Sequence, residues 1–149
     1  MGIEEAVNYR RISDAVVTSG CVAVEELQTL KAEGFEAVVN LLPDESDNAV
    51  PQERAIVEQQ GLEYHYLPVD FGNPGAQDFS DFVHTLDELG DKKVLIHCAA
   101  NYRVSAFYSL YAMKRLDWSE EKADALVGSL WTPAERPPWK DFMERMKTS

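Results

Sequence analysis

Short apolar runs alternate with amphipathic segments along most of this chain. Four runs rich in β-branched, aromatic or Leu residues are each bounded by Gly, Pro or Asp, which is typical of buried strands. They are Ala15–Ser19, Ala37–Leu42, Glu63–Val69 and Lys93–Cys98. Strands that alternate with helices favour one α/β domain over residues 1–149, with a mostly parallel sheet of four to five strands flanked by helices.

The segments between the runs, and the C-terminal third of the chain, repeat apolar residues at helical spacing. Three of these predicted helices end at a glycine, which suits the left-handed backbone of a helix end: the Val24–Leu30 stripe before Gly34, the helix with Pro51 in its first turn before Gly61, and the Phe79–Leu89 stripe before Gly90. Val104–Leu116 is apolar on nearly all sides, which predicts an enclosed central helix. Two more amphipathic helices follow, one opened by Ser119 and one carrying Trp139, Phe142, Met143 and Met146.

Acidic residues dominate the charge of the chain, with 26 Asp and Glu against 14 Lys and Arg and a net charge of -12. Such a surface repels phosphate backbones and anionic lipid, so we expect neither a nucleic-acid partner nor membrane binding. A small anionic substrate would need a local positive site made of backbone N–H groups and one or two Arg. Without an apolar span or a basic, apolar leader, the sequence predicts a cytoplasmic protein.

Two cysteines, Cys21 and Cys98, are too few for a disulfide framework and favour a reducing compartment. The three His are well separated and no Cys-x-x-Cys occurs, so we expect no metal site. Nothing in the sequence brings Cys21 and Cys98 together as a redox pair.

The segment with the most chemical information runs from Val94 to Ser105. A buried strand ends at His97 and Cys98, a short loop follows, and Arg103 opens a buried helix. A helix N-terminus binds anions and favours the thiolate form of a nearby cysteine, which is the nucleophilic form. An Arg can hold a phosphate through two parallel hydrogen bonds. The order therefore predicts a place where sulfur attacks a phosphoryl group.

His97-Cys98 through Arg103 and Ser105 resembles the His-Cys-x5-Arg-Ser/Thr loop of the protein tyrosine and dual-specificity phosphatases. Thr18-Ser19-Gly20 and the stretch 34–41 look like a small bacterial branch of that superfamily, which includes phosphatase-like domains fused to β-lactamase-like hydrolases. The stretch 66–70, before the Phe79–Leu89 helix, is similar to the segment that carries the general acid. The resemblance implies the fold of a cysteine-dependent phosphatase.

The loop departs from that pattern by one residue. Four residues separate Cys98 from Arg103, and Val104 stands where Ser or Thr usually follows the Arg. The shorter loop has one amide fewer for a tetrahedral phosphate. Ser105 could still supply a hydroxyl near Cys98, one position later than usual.

Two aspartates are candidates for the general acid, which protonates a poor leaving group. Asp70 follows the third strand directly and lies on a Gly- and Pro-rich loop that could close over a substrate. Asp78 falls in the first turn of a predicted helix, where the helix dipole is enough to explain an acidic residue. We therefore favour Asp70.

The resemblance implies a phosphatase that needs no metal or organic cofactor and acts on a phosphorylated protein or a small phosphomonoester. Cys98 would form the cysteinyl-phosphate, while Arg103 and the amides of Ala99, Ala100, Asn101 and Tyr102 would hold the phosphate oxygens. His97 would brace the loop. Two alternatives stay open: a phosphate-binding pseudophosphatase with little turnover, and a rhodanese-like sulfurtransferase, which shares the short Cys-to-Arg spacing. The sequence does not specify the oligomeric state.

Overall fold

A five-stranded sheet forms the centre of the protein, whose computed structural model describes residues 2–148. The order of the strands is β1-β2-β5-β3-β4; the last four are mutually parallel and β1 is antiparallel to β2. The strands are β1 (Arg10–Arg11), β2 (Val16–Ser19), β3 (Ala37–Asn40), β4 (Glu63–Tyr66) and β5 (Val94–His97). The prediction of a mostly parallel α/β sheet is confirmed, and the last strand of the chain lies in its middle.

The edge strand β1 is absent from the predicted elements. Its two residues pair with β2, Arg10 opposite Thr18 and Arg11 opposite Val17. Two consecutive arginines show neither an apolar run nor alternation, so the pattern gives no strand signal. The pairing follows from a tight return of the chain, in which the N–H groups of residues 12 and 13 both donate to the carbonyl of Val16.

Six helices flank the sheet: α1 (Val24–Gln28), α2 (Glu53–Glu58), α3 (Ala76–Leu89), α4 (Tyr102–Arg115), α5 (Glu120–Gly128) and α6 (Pro137–Lys147). Alternate residues of β5 divide the core into two layers. Val94 and Ile96 pack in the layer that holds the buried faces of α3, α4 and α6, and Leu95 packs in the layer of α1 and α2. Helix α4 has nine buried residues, as its all-round apolar pattern predicts.

The first two helices are shorter than their patterns predict. Val24 is 39% exposed, whereas Leu27 and Leu30 reach the core. Helix α2 begins at Glu53, after Gln52 in the left-handed region (φ 65°), so Pro51 precedes the helix instead of opening it. Among residues 2–148, none of the helices has the length and apolar character needed to cross a bilayer.

Candidate active site

Strand β5 carries His97 and Cys98 to the carboxyl edge of the sheet, between β2 and β3. Ser19 of β2 and Asn40 of β3 lie opposite His97 on either side. The chain then turns away from the sheet over residues 98–101 and enters α4 at Tyr102. Ligands of open α/β sheets bind outside the carboxyl ends of the strands, so the predicted motif lies where such a ligand is held.

The loop between β5 and α4 is clamped by two segments from the start of the chain. Asn101 adopts a left-handed backbone (φ 67°), which Asn tolerates better than most residues. Its buried amide Nδ2 donates to the Thr18 hydroxyl at 3.0 Å and to the Asn8 carbonyl at 2.9 Å. In return, the Asn8 side chain donates to the Ala100 carbonyl at 2.9 Å. These contacts fix the exit of the loop into α4.

Gly20 allows the loop to approach β2 closely. A Cβ atom at this position would lie 2.6 Å from the carbonyl oxygen of Ala99 and 2.8 Å from the Cα of Ala100. The neighbouring Cys21 N–H donates to the same Ala99 carbonyl at 2.8 Å. The atoms that a Cβ at position 20 would meet all belong to the backbone, so no flexible side chain could move aside to make room.

We expect Gly20→Ala to lower the free energy of unfolding by about 1–3 kcal/mol, the usual cost of overpacking. Urea unfolding measures this loss. Gly128→Ala is the matched control, because a Cβ at Gly128 meets nothing within 4 Å. An equal loss in both variants would contradict the close-approach argument.

Cys98 is completely buried at the start of the loop, with its N–H donating to the Ser19 carbonyl at 3.3 Å. Both cysteines are free thiols. The backbone of Cys21 runs beside Ala99, so the structure brings the segment of Cys21 next to the loop that follows Cys98.

Arg103 lies in the first turn of α4 with only 8% of its surface exposed. Its Nη1 donates to the Val69 carbonyl at 2.9 Å, and its guanidinium carbon lies 5.4 Å from the centre of the Phe71 ring. Its buried Nε has no hydrogen-bond partner, and no carboxylate of residues 2–148 forms an ion pair with it. A buried cation with an unused donor is costly, and an anion from outside the chain would satisfy it.

Aromatic side chains hold the segment after β4 against the start of α4. Phe71 packs on Trp131 and Trp139, each with ring centres 5.7 Å apart, and Tyr102 stacks flat on Trp131 at 4.9 Å. A second arginine, the exposed Arg136, places its guanidinium carbon 5.1 Å from the centre of the Phe71 ring. The Phe71 ring therefore contacts two guanidinium groups.

Asp70 lies between Val69, whose carbonyl binds Arg103, and Phe71, whose ring contacts Arg103. Its side chain is exposed, and Oδ1 accepts the Gly72 N–H at 2.9 Å. The structure thus brings Asp70 within one residue of two contacts made by Arg103.

Asp78 has a different environment. Its carboxylate accepts the Gly75 N–H at 3.0 Å at the start of α3. This bond is the ordinary capping interaction of a helix N-terminus. Asp78 therefore caps a helix, whereas Asp70 lies on the loop beside the contacts of Arg103.

His97 is braced by a residue that the sequence patterns did not single out. Its Nε2 lies 2.6 Å from Oε2 of Glu53, and the two residues are only 1% and 5% exposed. Burial, and then the charge of Glu53, raises the pKa of the neighbouring Tyr64 hydroxyl, which accepts a hydrogen bond from Asn40 at 2.9 Å.

No family model matches the chain. A crystal structure of a DUF442 protein from Shewanella putrefaciens CN-32 has a TM-score of 0.87 and 31% identity to this chain. The match covers 98% of this chain and 92% of that one. This chain belongs to the DUF442 family of protein tyrosine phosphatase-like proteins.

Two further matches, one in structure and one in sequence, extend the comparison of this DUF442 protein. The core catalytic domain of the PP-IP phosphatase SIW14 from S. cerevisiae has a TM-score of 0.75 and 17% identity, covering 93% of this chain and 85% of that one, which shows a shared fold. A β-lactamase hydrolase-like protein from Agrobacterium fabrum is 25% identical over 103 residues, 67% of this chain. The matched region is 24% of that relative, so the chain spans about a quarter of its length. The predicted resemblance to the phosphatase superfamily is confirmed.

Ser105, the last of the predicted site residues of the DUF442 chain, has structural partners. The Ser105 hydroxyl donates to the Tyr102 carbonyl and accepts from the Trp131 indole, so it ties α4 to the aromatic cluster. His65 and His84 each lie beside a glutamate of their own element. Within residues 2–148, no group of three or more His, Cys, Asp or Glu is arranged to hold a metal ion.

Proposed function

We propose that this DUF442 protein is a cysteine-dependent phosphatase that hydrolyses phosphate monoesters through a cysteinyl-phosphate intermediate. The observation that supports this most strongly is the buried Arg103 guanidinium, which has no carboxylate partner among residues 2–148 and keeps Nε unpaired. It lies in the first turn of α4, directly after a loop that starts at a buried free cysteine. The structural neighbours, which are protein tyrosine phosphatase-like, support the same function.

The phosphate would bind between Arg103 and the loop. Arg103 offers Nε and a second terminal nitrogen, while Nη1 is held by the Val69 carbonyl. Further donors are the N–H groups at the end of the loop and the start of α4, where the helix offers no acceptor for them. They belong to Ala99, Ala100, Asn101 and Tyr102. Such fixed donors stabilise the transition state, because negative charge shifts between the phosphate oxygens as the reaction proceeds.

In the first step, the thiolate of Cys98 attacks phosphorus, an S–P bond forms and the P–O bond to the leaving group breaks. Asp70 gives its proton to the departing oxygen. In the second step, the Asp70 carboxylate takes a proton from a water molecule, whose oxygen attacks phosphorus. The S–P bond breaks, inorganic phosphate leaves, and the thiolate is restored.

The proposed substrate is a phosphorylated protein or a small phosphomonoester. Arg136, on the Phe71 ring, would add a second positive charge beside the bound phosphate. This charge would offset the repulsion that the net charge of -12 exerts on an approaching dianion.

We expect Arg103→Lys and Arg103→Ala to raise the dissociation constant for inorganic phosphate by about tenfold to a hundredfold, which corresponds to one or two hydrogen bonds to a charged group. Lysine restores the charge but not the paired donors, so it should recover only a small part of the affinity. Isothermal titration with phosphate or vanadate measures both effects.

Arg115→Gln provides a matched control, because Arg115 lies in the last turn of the same helix, is ion-paired with Asp87 and should leave phosphate binding unchanged. If Arg103→Ala has the same dissociation constant for phosphate as the parent, Arg103 is not the anion ligand and the proposal is overturned.

A second candidate function is phosphate binding with little turnover. Two observations favour it: the loop is one amide short, and one oxygen of Asp70 is occupied by the Gly72 N–H. Hydrolysis of p-nitrophenyl phosphate, measured beside sulfur transfer from thiosulfate to cyanide, separates a phosphatase, a binding module and a sulfurtransferase.

A further inference from the structure

Glu53 connects to the active-site loop across 44 residues of sequence. It is the first residue of α2, and the left-handed backbone of Gln52 turns the helix start towards the carboxyl end of the sheet. Its Oε2 lies 2.6 Å from His97 Nε2, and His97 is bonded directly to Cys98. Glu53 is thus connected to the proposed nucleophile through a single intervening residue: a hydrogen bond joins Glu53 to His97, and a peptide bond joins His97 to Cys98.

The carboxylate of Glu53 lies inside a polar network that joins four elements. The Leu42 N–H donates to Asn40 Oδ1 at 2.8 Å, and Asn40 Nδ2 donates to the Tyr64 hydroxyl at 2.9 Å. The Tyr64 hydroxyl faces Glu53, whose charge raises the pKa of Tyr64 in addition to the effect of burial. The network therefore links β3, β4 and α2 to the end of β5.

A stability argument does not explain this pair. Burying the Glu53 carboxylate against the His97 imidazole costs several kcal/mol in desolvation, and well-packed apolar residues of similar size often serve stability equally well or better. A hydrogen-bonded buried pair also specifies one side-chain arrangement, whereas apolar residues can pack in several. The location of this one, at the residue before Cys98, assigns it to the active-site loop.

The imidazole of His97 depends on Glu53 for its orientation. Its other nitrogen, Nδ1, is buried and has no hydrogen-bond partner among residues 2–148. Without the carboxylate, both ring nitrogens would be buried and unpaired, which favours rotation of the ring and a shift of the 97–98 peptide. A displacement of about 1 Å in a reacting group is enough to cost on the order of a hundredfold in rate.

We propose that Glu53 is a positioning residue for Cys98, acting through His97. It holds the imidazole in the tautomer that carries hydrogen on Nε2 and so sets the direction in which the Cys98 thiol leaves the strand. As a role in catalysis this inference rests on the proposed function, but its effect on thiol reactivity can be measured without any hydrolysis.

The test compares Glu53→Ala, Glu53→Gln and Val57→Ala. Val57 lies one turn along α2 and is buried in the core layer of α1 and α2, and its apolar side chain can form no hydrogen bond with the network. Three quantities are measured below the melting temperature of every variant: the rate of Cys98 alkylation by iodoacetamide, kcat for p-nitrophenyl phosphate, and the dissociation constant of phosphate.

We expect Glu53→Ala to lower the alkylation rate and kcat by about tenfold while phosphate binding changes by less than about threefold. Glu53→Gln keeps an acceptor for Nε2 and should restore both rates to within about threefold of the parent. Val57→Ala should lose stability and keep both rates.

Parental alkylation in Glu53→Ala would overturn the proposal, and so would an equal loss of both rates in Val57→Ala. If Glu53→Ala does not fold, Tyr64→Phe decides, since it removes only the outer hydroxyl of the network. A loss of about threefold in the alkylation rate supports the proposal, and an unchanged rate overturns it. If the unsubstituted protein has no phosphatase activity, the proposed function is wrong. The alkylation rates of the variants would still show whether Glu53 positions Cys98.

Discussion

Cys98→Ser is expected to lower kcat for p-nitrophenyl phosphate by about 10⁴-fold to 10⁶-fold, a loss similar to that of other essential nucleophiles. A thiolate attacks phosphorus directly, whereas a serine hydroxyl keeps its proton at neutral pH and needs an adjacent base. Of the residues near the loop, His97 is already bound to Glu53, and the proposed mechanism uses Asp70 to protonate the leaving group. Steady-state assays on the purified variant measure the loss.

Phosphate binding should survive this substitution within about threefold, because the donors are Arg103 and the loop amides. Cys21→Ser is the matched control and should keep full activity, although the backbone of Cys21 contacts the same loop. Residual turnover within tenfold of the parent in Cys98→Ser would exclude a cysteinyl-phosphate intermediate.

The central strands and the helices that bury wide apolar stripes could be predicted from the sequence, because their signals are local. The run 93–98 became β5 with small changes at its ends, and the Phe79–Leu89 stripe faces the core as expected. Ser119 caps α5 by accepting the Lys122 N–H at 3.0 Å. In each case the residues that determine the element lie within a few positions of one another.

The features that the sequence did not predict depend on distant contacts. Glu53 carries no signal of its own, since a glutamate in the first turn of a helix is explained by the helix dipole, and its partner His97 comes much later in the chain. The unpaired Nε of Arg103 could not be inferred either, because it depends on the fold bringing the Val69 carbonyl to one side of the guanidinium and no carboxylate to the other.

Spacing nevertheless located the proposed nucleophile and its arginine, for a physical reason. A strand that ends in the middle of a parallel sheet must be followed by a turn and then a helix, so Cys98 and Arg103 had to flank that turn. The pattern favoured Asp70 as the acid but could not show the path of residues 67–75. The structure brings that segment against Arg103 through Val69 and Phe71.

Asp70→Asn is expected to lower kcat/KM for phenyl phosphate by about 10²-fold to 10⁴-fold, the usual contribution of a general acid. Asparagine keeps an acceptor for the Gly72 N–H, so the turn survives while the transferable proton is lost. For p-nitrophenyl phosphate the loss should be much smaller, because its leaving group departs without protonation. The pH–rate profile for phenyl phosphate should lose its basic limb, which reports the protonated acid.

Asp78→Asn is the matched control, because asparagine can still accept the Gly75 N–H at the start of α3. It should cost about 0.3–1 kcal/mol of stability, the contribution of one charge at a helix N-terminus, and leave the dependence on leaving group unchanged. A parental profile in Asp70→Asn would remove Asp70 from the mechanism, and a leaving-group effect in Asp78→Asn would transfer the role to that residue. If neither variant matters and turnover of the parent is slow, the loop binds phosphate without an acid, and phosphate binding becomes the function.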